Sequence, residues 1–253
     1  MAGDKKLHDN LSRVKGPSPL GKSIFVGLRL TDALWQYAFL HRGWASQLVH
    51  RLRGTPLPVL DAANNQLYPY YQLFVAMSFG SGLKQAIHMA FISEQELSAA
   101  SGFGIGLFNT VINSTNILFS IWSSTSQASL SDGWLSTLLS TPSVAIGVGA
   151  YTIGILTELF SELQRQRFKK DPANKRKPYG GGLFSLATNI NYGAYTLWRA
   201  GFALASGGWP WGLFTFSFFL YDFVTRGVPV LDQYCSNKVC SFFVYLSALL
   251  CAC

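Results

Sequence analysis

Residues 200–221 read AGFALASGGWPWGLFTFSFFLY and contain no Asp, Glu, Lys or Arg. Four further tracts share this lack of charged side chains, at residues 62–83, 97–131, 133–157 and 178–198. Each tract is at least about 20 residues long, which is enough helix to cross the hydrocarbon core of a bilayer. The pattern predicts an all-α, polytopic membrane protein.

The composition agrees with this prediction. Charged residues make up 13% of the chain, whereas soluble domains carry about a quarter. The formal net charge of +8 comes mostly from two clusters, Lys5, Lys6, Arg13, Lys15 and Lys22 near the N-terminus and Arg165, Arg167, Lys169, Lys170, Lys175, Arg176 and Lys177 in a hydrophilic break. Basic clusters beside apolar spans indicate cytosolic segments, and the scarcity of interleaved aromatic residues argues against nucleic acid as a partner.

The sequence predicts six membrane-spanning helices, at residues 23–40, 67–92, 101–123, 143–163, 182–207 and 211–229. The first is the weakest because it contains Arg29 and Asp32, although their spacing would let them pair on one helix face. Six crossings place the N-terminus and the basic break together in the cytosol, as the positive-inside rule requires. The short link Gly208-Trp209-Pro210 predicts a hairpin between the last two spans, and residues 41–60 are expected along the membrane surface.

These spans divide the chain into four parts. A polar cytosolic N-terminus (1–22) precedes the N-terminal transmembrane helices (23–163), a C-terminal domain with the basic loop and the hairpin (164–238), and an apolar, Cys-rich tail (239–253). All four cysteines lie close to the C-terminus, at Cys235, Cys240, Cys251 and Cys253. No histidine follows His88 to join them, so the sequence predicts no metal site. Their spacing does not support a secreted disulfide framework either.

Polar side chains inside a membrane span are costly unless they are paired or face water, so they mark candidate sites. Asn109, Asn113 and Asn116 fall on one stripe of the third span. They could line a polar substrate cavity or form hydrogen bonds between helices, and the sequence does not separate the two. In the fourth span, small residues four apart predict close helix packing: Ser143 and Gly147, Ala145 and Gly149, and Ala150 and Gly154.

Ionisable residues also occur in pairs four residues apart: Lys84 and His88, Glu158 and Glu162, and Asp222 and Arg226. The first pair could contact an anionic ligand, but snorkelling toward the interface is favoured. For the two glutamates, charge pairing with the cations that follow is favoured over acid–base catalysis. Asp222 and Arg226 are expected to form a buried ion pair.

The basic break leads into three glycines, Gly180, Gly181 and Gly182, at the entrance to the fifth predicted span. Backbone N–H groups and Lys or Arg side chains in such a segment can hold a phosphorylated cofactor. From about residue 162 to 238, the sequence resembles the C-terminal domain of the steroid 5-alpha-reductase family, in its branch of short integral-membrane proteins. The resemblance rests on Arg167-Phe168-Lys169, Pro172, Asn174-Lys175, Gly182-Leu183-Phe184, Asn191-Tyr192, Trp198, Gly201, Gly227-Val228-Pro229 and Leu231-Asp232.

This resemblance implies an endoplasmic-reticulum protein that uses NADPH to reduce a carbon–carbon double bond in a steroid or other lipid. Asn174, Asn191 and Tyr192 are then the expected cofactor contacts, with Arg167 and Lys169 as phosphate partners. The motif is degenerate, because the family's Arg-His-Pro is replaced by Thr188-Asn189-Ile190 and its acidic residue by Tyr195. Tyr195 could donate a hydrogen bond in place of the acid, so Tyr195 and Tyr192 are the candidate catalytic residues.

Two other functions remain open. Isoprenylcysteine methyltransferases share this architecture and a related motif, which suggests an S-adenosylmethionine-dependent membrane methyltransferase. The altered motif also suits a non-catalytic family member that binds lipid or a partner protein. The cation cluster favours NADPH mildly, because S-adenosylmethionine carries no phosphate.

Overall fold

The computed structural model describes residues 14–59, 68–129, 134–174, 177, 179–231 and 233. These residues form helices and no strand, so the all-α prediction is confirmed for the described part of the chain. The helices are α1 (Pro19–His41), α2 (Trp44–Arg51), α3 (Tyr68–Ile87), α4 (Ala99–Ile121), α5 (Trp134–Ser140), α6 (Pro142–Lys170) and α7 (Ile190–Asp222). Short π-helical turns follow α3 and α7, at His88–Ile92 and Phe223–Gly227. The four cysteines and the apolar tail lie outside the described residues.

Helix α7 is a hairpin of two antiparallel helical halves. The break is at Gly208, whose φ of 71° and ψ of −170° lie in a region open mainly to glycine, and Pro210 follows. Across the hairpin, the rings of Tyr195 and Phe219 are 5.3 Å apart and those of Tyr192 and Phe223 are 4.6 Å apart. The predicted hairpin at residues 208–210 is therefore confirmed.

Six long helical segments, α1, α3, α4, α6 and the two halves of α7, run between the two ends of the bundle. At one end, the segment before α1 meets the turn after α3: Gly16 N donates to Glu94 O at 3.3 Å and Lys22 Nζ to Ser93 O at 2.7 Å. Gln166, near the end of α6, also donates to the carbonyl of Phe91. We call this end, with the cationic last turns of α6, the basic end. Helices α2 and α5 and the turn at Gly208 lie at the other end.

Helices α6 and α7 approach each other through glycines. A Cβ at Gly201 would lie 2.5 Å from the carbonyl oxygen of Gly147, and one at Gly154 would lie 2.7 Å from the backbone nitrogen of Trp198. The close packing predicted for these small residues is confirmed at Gly147 and Gly154. At Gly149 a Cβ would meet nothing within 4 Å, so this glycine does not serve the contact.

Two predicted boundaries are wrong. The fifth span was expected from residue 182, but α7 begins at Ile190, because residues 182–185 form a 3₁₀ turn and Gly182 has a φ of 55°. Helix α6 also continues to Lys170, so Arg165, Arg167 and Lys169 lie on a helix and not in a loop. The basic segment thus begins as the end of a long helix.

Among the described residues, one helix, α6, is both long enough and apolar enough to cross a membrane by length and composition. The second half of α7 exposes large apolar side chains, namely Leu213, Phe214, Phe216, Phe218 and Leu220. An exposed apolar surface of this kind is typical of contact with a membrane or a partner. The six-span topology remains a prediction.

Candidate functional site

The charge and the hydrogen-bond donors of one buried arginine, Arg29, all have partners. Helix α1 places Arg29 and Asp32 one turn apart, with Arg29 Nη1 2.9 Å from Asp32 Oδ2 and both side chains buried. The pair predicted from their spacing is therefore confirmed. Arg29 also donates from Nε to Gln85 Oε1 at 2.6 Å and from Nη2 to Ser81 Oγ at 3.4 Å. All three of its nitrogens thus have partners.

The carboxylate of Asp32 is equally well satisfied. Its Oδ1 accepts from Gln36 Nε2 at 2.9 Å, and its Oδ2 accepts from Asn113 Nδ2 at 2.6 Å. A buried ion pair is stable only when further hydrogen bonds satisfy the remaining polar atoms, as they do at this pair. We call Arg29, Asp32 and these partners the Arg29 centre.

The three asparagines of α4 are buried and form hydrogen bonds to neighbouring helices. Asn109 Oδ1 accepts from Gln85 Nε2 at 3.1 Å, Asn113 binds Asp32, and Asn116 Oδ1 accepts from Trp211 Nε1 at 2.7 Å. These contacts match the interhelical bonding that was one of the two predicted roles. The role of the asparagines in a substrate cavity remains a prediction.

Lys84, His88, Glu158 and Glu162 form one cluster between α3 and α6. Lys84 Nζ binds Glu158 and lies 3.2 Å from Glu162 Oε2, while His88 Nδ1 is 2.6 Å from the same oxygen. The interpretation of Lys84 and His88 as snorkelling residues is therefore wrong. The two glutamates are buried and pair with residues of α3, so the predicted pairing with the cations that follow them is wrong. The pairs meet because α3 and α6 run parallel.

Asp222 and Arg226 form the predicted ion pair, with Arg226 Nε 2.8 Å from Asp222 Oδ1, although both side chains are only partly buried.

A second arginine, Arg199, lies in the interior on α7 with 1% of its surface exposed. Its Nε donates to the hydroxyl of Tyr195 at 3.1 Å, and its Nη2 donates to Asn109 Oδ1. Its Nη1 is buried and has no hydrogen-bond partner among the residues that the structure describes. The guanidinium carbon lies 4.3 Å from the ring centre of Trp198. Within the described part of the chain, Arg199 has no carboxylate partner.

Asn191, Tyr195 and Arg199 are spaced four residues apart on α7, and we call them the α7 stripe. Asn191 lies in the first turn of the helix and is buried, and its Oδ1 has no hydrogen-bond partner in the described part of the chain. Tyr195 is half-buried and accepts the hydrogen bond from Arg199. Two successive steps of four residues span about 12 Å of helix, so the stripe leads from the basic end into the interior.

The other predicted cofactor contacts lie at the basic end. Arg167 and Lys169 are exposed on the last turns of α6. Asn174 lies in the 3₁₀ turn after α6 and donates to the carbonyl of Phe168 at 3.3 Å. Tyr192 is half-buried and stacks on Phe223. The structure thus places Asn191 and Tyr192 together at the start of α7 and leaves the two cations at the surface.

The glycine-rich turn before α7 packs onto the end of α6. The backbone nitrogen of Leu183 donates to Gln164 Oε1 at 2.9 Å, and the guanidinium of Arg165 lies 5.6 Å from the ring centre of Phe184. Nearby, a hydrogen bond from Lys15 holds the pKa of Glu94 below its ordinary value. The contacts of Leu183 and Phe184 with α6 fix the turn that leads into the α7 stripe.

One family model matches the part of the chain that includes α6 and α7. The model of the family described as "Protein of unknown function (DUF1295)" matches residues 107–244, more than half of the sequence. The chain belongs to the DUF1295 family. This family contains steroid 5-alpha-reductase-like membrane proteins, so the resemblance is supported at this broad level, while the specific reductase domain remains a prediction.

One relative of this DUF1295 protein carries a functional name. It is a "Probable O-methyltransferase ustE" of Ustilaginoidea virens, 35% identical over 233 residues that cover 89% of this chain and 81% of the relative. No solved structure matches the chain.

Arg199 and Trp198 take part in the candidate site, although no functional role was predicted for either residue. The signal was present, because Arg199 alone separates two long charge-free tracts. What a single sequence cannot supply is the contact with Asn109 on α4, which places the guanidinium inside the bundle.

Proposed function

We propose that this DUF1295 protein is an S-adenosylmethionine-dependent O-methyltransferase that acts on a hydroxyl group of a lipophilic acceptor. The observation that carries the proposal is the 35% identity, over 89% of the chain, to a relative named a probable O-methyltransferase. An alignment of this length includes most of the chain, so the similarity is not confined to one short motif. The proposal replaces the NADPH reductase as the leading function.

We further propose that six helices embed the protein in the membrane of the endoplasmic reticulum, with the basic end in the cytosol. The arrangement of six segments between two ends and the exposed apolar side chains of α7 support this topology. The cation count agrees as well: twelve Lys and Arg residues belong to the two basic clusters, five and seven, against Arg42, Arg51 and Arg53 on the opposite side.

The residues at the start of α7 suit a methyl donor. S-adenosylmethionine carries amino groups that donate hydrogen bonds, and the buried, unpartnered Oδ1 of Asn191 is an acceptor at the mouth of the stripe. Asn191 and Tyr192 would hold the cofactor there. When bound, the cofactor supplies an electrophilic methyl group, and the hydroxyl of Tyr195 would orient the acceptor oxygen toward it.

An NADPH-dependent reductase of a lipid carbon–carbon double bond is the second candidate. It is favoured by Arg167 and Lys169, which are exposed at the basic end beside the turn that holds Asn174 and would suit phosphate groups. The two candidates differ in their cofactor, so cofactor binding separates them.

Equilibrium binding of S-adenosylmethionine and of NADPH to the purified protein in detergent tests the proposal. We expect saturable binding of S-adenosylmethionine that S-adenosylhomocysteine displaces. Asn191→Ala should weaken it about fivefold, since a hydrogen bond contributes about 1 kcal/mol. Thr31→Ala, an exposed change on α1, is the control and should bind as the wild type does.

Binding of NADPH alone would favour the reductase. Binding of neither ligand by a folded protein would favour a non-catalytic lipid- or partner-binding relative.

A further inference from the structure

The buried polar groups around Arg199 carry a surplus positive charge. Arg29, Asp32 and Arg199 belong to one hydrogen-bonded network. Arg29 donates to Gln85, Gln85 Nε2 donates to Asn109 Oδ1, and the same oxygen accepts from Arg199. This network contains two guanidinium groups and one carboxylate. Removing a cation from water costs several kcal/mol unless a counter-charge and hydrogen bonds repay it.

The neighbouring carboxylates contact other side chains, and Lys84 is shared by both. Glu158 binds Lys84 and accepts from Trp198 Nε1 at 2.7 Å. Glu162 binds Lys84 and His88. The indole of Trp198 connects the two clusters, with Glu158 at its N–H group and Arg199 over its ring. Neither glutamate is therefore the counter-charge of Arg199.

The guanidinium of Arg199 is held in place while one of its donors stays unused. Tyr195 and Asn109 fix Nε and Nη2, and Trp198 and Phe219 lie 4.3 and 5.7 Å from the guanidinium carbon. A planar guanidinium fixed at two nitrogens has its third nitrogen fixed as well. The unpartnered Nη1 therefore presents a charged N–H donor in a defined direction.

We propose that Arg199 Nη1 binds an oxyanion that a ligand brings into the bundle. A carboxylate or another anionic oxygen supplies both the missing charge and the missing acceptor, and hydrogen bonds between charged groups are roughly twice as strong as neutral ones. The oxyanion belongs either to the carboxylate of the methyl donor or to an acidic lipophilic substrate. The first source rests on the proposed function; the second does not.

Two matched pairs of probes separate these sources. S-adenosylmethionine is compared with decarboxylated S-adenosylmethionine, and palmitate with hexadecanol, each pair differing in the anionic group. Binding is measured by thermal shift and titration on the full chain in detergent. The variants are Arg199→Gln, Arg199→Lys and, as a control, Arg226→Gln, which alters a partly buried arginine already paired with Asp222.

We expect the wild type to prefer the anionic member of one pair by roughly tenfold or more. Arg199→Gln should abolish that preference, Arg199→Lys should keep part of it, and Arg226→Gln should keep all of it. A preference within the first pair assigns the donor carboxylate, and one within the second pair assigns an acidic substrate.

The inference is overturned if the wild type shows neither preference, or if Arg199→Gln keeps the preference unchanged. Failure of both forms of the methyl donor to bind would instead contradict the proposed function, and the palmitate pair would then decide the role of Arg199 by itself.

Discussion

The two buried arginines of this protein share an environment and differ in what balances their charge. Arg29 on α1 and Arg199 on α7 are both buried and both reach the amides between α3 and α4. Arg29 has a carboxylate one turn away on its own helix, and each of its nitrogens has a partner. Arg199 contacts a phenol, an amide and an aromatic face, and one of its nitrogens has no partner among the described residues.

This difference separates a structural charge from one held for a ligand. At the Arg29 centre, the chain provides cation, anion and hydrogen bonds, so the centre fixes the packing of α1 against α3 and α4. At Arg199 the described residues provide hydrogen bonds and aromatic contacts but no carboxylate. Removing one member of a buried ion pair is costly because the other charge is left uncompensated. Removing a buried charge that has no partner leaves no such charge behind, so we expect a smaller loss.

The largest effect is expected from Arg29→Met. It leaves Asp32 ionised and buried without its cation, so the free energy of unfolding should fall by about 3–5 kcal/mol. Chemical denaturation in detergent measures this change. The double variant Arg29→Met with Asp32→Leu removes both charges and should recover part of the loss; a double variant no more stable than the single one would argue against the ion pair as the cause.

The next effect is expected from Trp198→Phe, which tests the connection between the two clusters. Glu158 loses a charge-assisted hydrogen bond of 2.7 Å, so the free energy of unfolding should fall by roughly 1.5–3 kcal/mol. The control is Trp211→Phe, which removes an indole hydrogen bond of the same length, 2.7 Å, to the neutral amide of Asn116. This change should lower the free energy of unfolding by about 1 kcal/mol. Equal losses in the two variants would mean that the charge of Glu158 is unimportant.

A smaller effect of opposite sign is expected from Asn109→Asp. The new carboxylate supplies Arg199 with the counter-charge it lacks, at the cost of the amide donor to Ile105, and should raise the free energy of unfolding by about 1 kcal/mol. It should also abolish any preference for anionic ligands. Asn113→Asp is the control, because it places a second carboxylate against Asp32 and should destabilise the protein.

Local features of the sequence predicted much of the fold. The hairpin follows from Gly208 and Pro210, and the Arg29–Asp32 pair follows from spacing on one helix. Both depend on residues within one or two turns of each other. The start of α7 was missed because the turn at residues 182–185 is held by α6, through Gln164, and tertiary contact overrides the local pattern.

The candidate site was harder to predict, because its contacts join distant parts of the chain. Lys84 and Glu158 were each noticed within their own helix, but they pair with each other across two helices. In the same way, Glu162 pairs with His88, which lies 74 positions away in the sequence. The stripe of asparagines was found, and its link to Arg199 was not. The proposal of a methyl donor came from the relative named a probable O-methyltransferase, and not from the motif or the basic segment.

The unliganded stability of Arg199→Met, compared with that of Arg29→Met in the same detergent, tests the difference between the two arginines most directly. Methionine keeps the aliphatic part of the side chain and removes the charge in both variants. We predict that Arg199→Met stays within about 1 kcal/mol of the wild type while Arg29→Met loses several times more. A loss at Arg199 equal to that at Arg29 would show that the chain itself uses this charge, and would contradict the account.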